Sequence, residues 1–327
     1  MIKVMKALLI PFFGLSIVAQ AQSVPNTTTA STTQNTTEGT TTVTGSTAAV
    51  GETQTKVSDL LKNKKFEEND KITDAKLRAD GGSLSKYSLS FSLSYYGPTL
   101  GDLSEKDQPN PDGSVGSYET ALGGSLGARY RMSSSETIKV GTGLKVIHPL
   151  HGAERTDVNN PYISYGVSSK MDKVQMRNSF GGSVITIPNY TKIGEYASLD
   201  YDNSLVYDLG ISGFAVGLDS SFSMYLYNRE YRKTDGKSST YNLSFYPNIK
   251  YNFTDKLSVN TSVSMSYWNP RANESRWNLQ NRSVSQRLGM GYAYTRDIYI
   301  SPYLNFYPDK LSPQSTTINV STSFSIL

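Results

Sequence analysis

From Leu84 onward the chain is a succession of short segments in which apolar and polar residues alternate. Leu257, Val259, Thr261, Val263, Met265 and Tyr267 alternate with Ser258, Asn260, Ser262, Ser264, Ser266 and Trp268. Near the C-terminus Ile318, Val320, Thr322, Phe324 and Ile326 alternate with Asn319, Ser321, Ser323 and Ser325. Side chains on a strand point to opposite faces with period 2, so each segment has one apolar and one wet face. The pattern predicts strands at 84–96, 118–131, 136–147, 161–171, 174–187, 196–209, 214–227, 240–253, 257–268, 283–295, 298–307 and 316–326. About twelve strands with no intervening helix predict an all-β fold, a transmembrane antiparallel up-and-down β-barrel.

The connections carry a second, independent signal. Short ones at Ser133–Ser135, Asp172-Lys173, Gly210–Gly213, Thr254–Lys256 and Arg296-Asp297 alternate with longer ones at 97–117, 148–160, 188–195, 228–239, 269–282 and 308–315. Membrane barrels have this asymmetry, with short periplasmic turns and longer external loops. An even strand number returns both termini to one side.

The apolar face is expected to meet lipid. Tyr87, Leu89, Phe91, Leu93 and Tyr95 place aromatics at the ends of the first strand and aliphatics within it. Tyr241, Leu243, Phe245, Pro247, Ile249, Tyr251 and Phe253 make the same face of the eighth. Pro247 and Pro302 each remove a ladder donor, which predicts a local bulge or a one-residue register error there. The wet face is small: Ser88, Ser90, Ser92 and Ser94, then Gly123, Ser125, Gly127, Gly141 and Gly143, then Ser262, Ser264, Gly289 and Gly291. A sandwich core needs bulky apolar side chains on its inner face, whereas small polar ones leave space for a narrow aqueous lumen.

Charges on the wet face are segregated. Arg129, Arg131, Lys139, Lys145, Lys170 and Arg177 make a basic wall on strands two to five. Asp200, Asp202, Asp208 and Asp219 make an acidic wall on strands six and seven. Opposed charges in a low-dielectric tube set up a transverse field that orients and selects small polar solutes. The alternative is that they pair with one another and close the tube.

Composition fits this picture. The chain has 327 residues, a formal charge of +4, 23 tyrosines and no cysteine. The mature part has no apolar run near the ~18 residues a spanning helix needs, and the tyrosines suit interfacial aromatic girdles. Residues 1–21 read as a signal peptide, with Lys3 and Lys6, an apolar Ala7–Val18 and an Ala19-Gln20-Ala21 cleavage site. Residues 22–56 are a Thr/Ser-rich tract that cannot bury enough surface to order itself, so a disordered N-terminal segment is expected. Residues 57–83 are charged, with Val57, Leu60, Leu61, Ile72 and Leu77 among the charges. We read them as a short, marginal periplasmic helix with Ser58 as N-cap and Gly81-Gly82 as terminator, docking at the barrel base or entering the lumen being the alternatives. The barrel is 84–327.

With strands, loop alternation and faces in place, residues 84–327 resemble the Gram-negative outer-membrane β-barrel class, specifically its roughly twelve-stranded small porin or channel type. The resemblance is one of pattern, with no family-specific motif. It implies an outer-membrane location with the N-terminal segment in the periplasm. Its implied partners are outer-membrane lipid and lipopolysaccharide, the barrel assembly machinery and small polar solutes, and not nucleic acid. Such barrels end in an amphipathic strand with a terminal aromatic; here Phe324 and Ile326 keep the alternation but Leu327 is out of phase. The function read from all this is a narrow passive channel, with a closed structural or surface-interaction barrel second.

Enzymes of this class prompt a third reading, a lipid hydrolase. His148 and His151 are the only histidines, and Ser164 on the next strand is the candidate nucleophile. A His closely followed by a Ser within one strand, the phospholipase signature, is missing. Asp200 and Asp202 offer a carboxylate pair of the omptin kind, without a neighbouring His. Asp102, Glu105, Asp107 and Asp112 in the first long loop are candidate weak Ca²⁺ ligands. Arg229, Arg232 and Lys233, in a loop turning at Asp235-Gly236, are candidates for lipopolysaccharide phosphates. No cofactor or metal centre is expected, for want of Cys and clustered His.

Overall fold

The computed structural model describes residues 72–150, 152–210, 213–228, 238–272 and 277–326. The signal peptide, the Thr/Ser-rich tract, the expected cap Ser58, His151, the Arg229–Gly236 loop and Leu327 lie outside the described residues.

Twelve long strands form the wall: β1 (Tyr87–Thr99), β2 (Ala121–Arg131), β3 (Glu136–Ile147), β4 (Arg155–Met171), β5 (Val174–Val184), β6 (Glu195–Asp208), β7 (Phe214–Tyr227), β8 (Ser239–Asn252), β9 (Leu257–Pro270), β10 (Ser285–Thr295), β11 (Ile298–Phe306) and β12 (Thr317–Ile326). Each pairs antiparallel with its neighbours in sequence, and β1 pairs with β12 from Leu89↔Ile326 to Thr99↔Thr317, so the sheet closes. Closure leaves no unpaired edge to hydrogen-bond in a bilayer. Gln280–Asn281 extends the β9 ladder as a short additional pairing, and Gln108–Pro109 pairs with Ser117–Tyr118 inside the first long loop.

The register puts the apolar face outside. Val140, Ile163, Phe180, Leu199, Ile249 and Leu288 are exposed. Aromatics pair across strands on the outer face: Phe91 stacks on Phe324 at 4.6 Å over the closing seam, and Tyr87 meets Tyr130 at 5.3 Å near the short-turn rim. Such pairs hold register beyond their buried area.

Two expectations change. Pro247 pairs with Leu218 and Pro302 with Val320 without a register shift. The register across each proline's other ladder is the same before and after it, so each strand tolerates a missing donor without a bulge. Bulges fall elsewhere, between Tyr96 and Thr99, Gly141 and Gly143, Glu195 and Ala197, Ser239 and Tyr241, and Ala293 and Thr295. Secondly, β4 begins at Arg155, six residues before its expected start at 161. Asn160 has φ 48 and takes up the extra residue opposite Gly141–Gly143. The alternation therefore changes phase in mid-strand.

Short helical turns at Pro188–Thr191, Pro308–Lys310 and Pro313–Ser315 lie in the long loops, and one helix enters the barrel. Helix α1 (Ala75–Gly81) precedes β1, with Asp74 as N-cap accepting from the Leu77 amide, and it ends at Gly82 with φ 72. Its neighbours lie on strands from all round the barrel, so it sits in the lumen at the short-turn mouth.

Candidate functional site: a charged lumen with a helical plug

Side chains directly opposite each other in adjacent ladders share a face. Ser88, Arg129 and Lys139 form one such row across β1, β2 and β3. The same logic carries round the wall and puts all ten charges singled out from the sequence on the inner face: Arg129, Arg131, Lys139, Lys145, Lys170, Arg177, Asp200, Asp202, Asp208 and Asp219. They do different jobs there.

Arg131 and Arg129 hold the C-terminal end of α1. Arg131 donates to the carbonyls of Ser83 (2.9 Å), Gly81 (2.8 Å) and Gly82 (3.0 Å), and to Ser134 in the adjoining turn (3.0 Å). Arg129 donates to the Asp80 carbonyl at 3.2 Å and to Ser325 at 3.4 Å. Arg296 reaches the Gly82 carbonyl at 3.0 Å. A helix C-terminus has unpaired carbonyls and partial negative charge, and guanidinium groups satisfy both. A Cβ on Gly82 would lie 1.2 Å from Arg129 Nη1, so only glycine permits this approach.

The other end of α1 is fastened across the lumen. The Thr73 and Asp74 amides donate to Gln175 Oε1 at 2.7 and 2.8 Å. The Lys250 ammonium pairs with the Asp74 carboxylate, and Lys76 pairs with Asp219 at 2.7 Å. Asp80 accepts from Ser323 at 2.7 Å. Apolar burial adds to this: Leu77 and Ile72 are buried, and Ala79 packs against Ala293 and Tyr299, with Ala75 beside them. The plug is thus held by polar bonds to five strands, β2, β5, β7, β8 and β12, together with the burial of a few apolar side chains.

Above the plug, Lys139 donates to Ser125 at 3.2 Å and lies 5.3 Å from the Tyr162 ring centre. Arg177 donates to Ser168 (3.1 Å) and Thr137 (3.5 Å). Lys145 pairs with Glu119 at 3.2 Å. Asp200 accepts from Ser198 (2.8 Å) and Ser223 (2.6 Å), and Asp202 is buried beside it. Asp208, at the rim, accepts from the Gly210 amide at 2.8 Å, and Lys170 is half-buried opposite Gln175.

Other inward charges escaped the sequence reading, among them Asp157 opposite Lys145, Glu195 opposite Tyr227, Arg287 and Lys250. Arg287 faces inward on β10, with Tyr246 at 5.2 Å and Tyr303 at 5.3 Å on either side. Lys250 faces inward on β8. Arg287 is in phase with Gly289, already placed on the wet face, and Lys250 is out of phase with the outward Ile249 and Tyr251. Positive charge therefore also stands across the lumen from the basic wall.

The enzyme and metal candidates are not brought together. Ile147 pairs with Arg155 and Lys139 with Ser164. Ser164 is thus eight residues along the wall from the His148 end of β3, roughly 26 Å at 3.3 Å per residue. His148 instead contacts Glu154 at 2.7 Å and Asp107 at 3.7 Å. In the loop, Asp102 accepts from Ser104, Asp112 from Ser114, and Glu105 from Tyr95 and Leu150. The Ser104 amide holds the Asp102 carboxyl below its usual pKa. No group of three potential metal ligands occurs among the described residues.

A closed twelve-stranded wall, apolar without and polar within, defines the class: a β-barrel of the outer-membrane type. No family model matches the chain, and no curated protein does. Among solved structures it is similar to an outer-membrane channel from Pseudomonas putida F1 (10% identity, 76% of this chain and 98% of that one, TM-score 0.46). It is also similar to the NanC porin (9%, 73% and 100%, 0.41) and to the KdgM porin in complex with disordered oligogalacturonate (8%, 73% and 99%, 0.40).

Proposed function

We propose that this chain forms a narrow passive channel for small hydrophilic solutes in the bacterial outer membrane, closed at rest by α1. The observation that carries the reading is the polar attachment of the plug. Besides burying Ile72, Leu77 and Ala79, α1 is attached by many ion pairs and hydrogen bonds, polar groups that water can satisfy again when the plug leaves its seat. The short-turn mouth faces the periplasm in this reading, with lipopolysaccharide around the opposite rim and the barrel assembly machinery as the insertion partner. Lumen charges set the ion preference.

The same plug favours a second reading, a closed structural or surface-interaction barrel. Planar-bilayer recording of the refolded protein separates the two. A stable open level, reached at least intermittently, supports the channel. A correctly folded barrel that stays silent in wild-type and plug-weakened forms leaves the closed barrel standing. The lipid-hydrolase reading requires turnover by the wild type that His148→Ala abolishes.

A further inference from the structure

The cations above the plug are unevenly matched. Arg129, Lys139 and Arg177 lie together: Arg129 and Lys139 are direct cross-strand partners, and Arg177 reaches across β4 to Thr137, two residues from Lys139 on the same face. Among the described residues no carboxylate lies within ion-pair distance of any of the three. Asp80 of the plug adjoins them, its carbonyl accepting from Arg129 at 3.2 Å, and its carboxylate attracts all three while they repel one another. Asp80 itself is taken by Ser323. Arg129 is buried, and its Nε has no hydrogen-bond partner.

Space adjoins this cluster. Ser92 pairs on one side with Ser125, the Lys139 acceptor, and on the other with Ser323, the Asp80 donor. Its side chain faces inward and is exposed, so water reaches the wall between the cations and the plug's carboxylate.

We propose that Arg129, Lys139 and Arg177 form a subsite for small acidic solutes, carboxylates or phosphates, and that such a solute unseats the plug by taking over the charge Asp80 supplies. The inference rests on the channel reading and names its solute class and its gate. Three cations facing one carboxylate leave unmet positive charge that a dianion satisfies better than a lone side chain does. Once the solute screens the cluster, the plug loses its attraction at Asp80. Binding and opening are then coupled through the same atoms.

Succinate is a suitable probe, with chloride at equal ionic strength and neutral sucrose as controls. The protein lacks cysteine, so Ala75→Cys and Asp255→Cys can carry nitroxide labels on the full mature chain in liposomes, and the plug-to-turn distance can be measured without reference to current. Succinate is expected to lengthen that distance, and to raise open probability in bilayers by about tenfold, the scale of one charge-assisted bond. In Lys139→Met with Arg177→Met the response to succinate is expected to vanish, and the resting distance to lengthen part of the way toward that of Asp80→Asn. Asp80→Asn is expected to lengthen the distance without succinate. A distance that succinate leaves unchanged overturns the inference even where the channel conducts. A distance that responds in a barrel that never conducts sustains the subsite and removes the channel reading. A response equal to that of chloride overturns the selectivity for acidic solutes.

Discussion

Arg131→Ala tests how the plug is held. The guanidinium makes three donations to plug carbonyls, at 2.8, 2.9 and 3.0 Å, and its side chain is buried. At about 1 kcal/mol net for each bond, removing it destabilises the seated plug by about 3 kcal/mol, or roughly 150-fold in the seated-to-unseated ratio. The estimate leaves out the cost of stripping buried carbonyls of partners, so it is a lower figure. Ala79→Cys supplies the assay. Position 79 is buried against Ala293 and Tyr299 and is the only thiol in that variant, so a soluble maleimide labels it only from the unseated state. In the Arg131→Ala background the labelling rate should rise by about the same factor of 150. Circular dichroism and heat-modified gel mobility should stay those of the folded barrel, because closure of the wall rests on backbone pairing of its twelve strands, which the side chain of Arg131 does not make. An unchanged labelling rate in a folded barrel would refute the view that guanidinium contacts to the helix end seat the plug.

Further predictions use other parts of the lumen. Gly82→Ala places a methyl on Arg129 at a positive-φ position, so it should unseat the plug as strongly as Arg131→Ala, read by the same labelling rate. Arg129→Ala with Arg131→Ala should move reversal potentials toward cation preference in a salt gradient; unaltered ion preference would remove the basic wall from selectivity. Arg287→Ala, which frees the space between Tyr246 and Tyr303, should raise the conductance of the open level, and an unchanged conductance would place the narrowest point elsewhere. Val140→Arg puts a charge on the lipid face near mid-strand and should cost the inserted barrel about 2–4 kcal/mol, seen as a lower urea midpoint in vesicles.

Much of this molecule was legible in its sequence because a membrane barrel has a two-state pattern with little tertiary override. Each residue of a strand faces lipid or lumen, so Ser88, Arg129 and Lys139 could be put on one face from alternation alone. Alternation ceases to report the face where the period breaks. At Asn160 the bulge shifts the phase, and Arg155–Asn160, which belong to β4, looked like loop. Pro247 and Pro302 misled in the opposite direction, since a missing donor need not shift the register.

The plug was harder to place for a different reason. Its partners are remote, with Lys76 and Asp219 separated by 143 positions and Asp80 and Ser323 by 243. Its few apolar residues, Ile72, Leu77 and Ala79, are buried against the wall, but nothing in a seven-residue helix says which cavity will receive it. The wall charges were visible as wall charges. That Arg129, Arg131 and Asp219 contact the plug, while Lys139 and Arg177 bond to hydroxyls of the wall, depends on where α1 lies.

The central claim is that α1 closes a conducting lumen. Ala79→Cys with Ala293→Cys places two thiols at a contact between plug and wall, and bilayer current recorded before and after reduction of the resulting cross-link tests the claim directly. The account predicts silence while the bond is intact and the return of open events when it is reduced. Equal currents in both states, or a folded and reduced barrel that never opens, would contradict it.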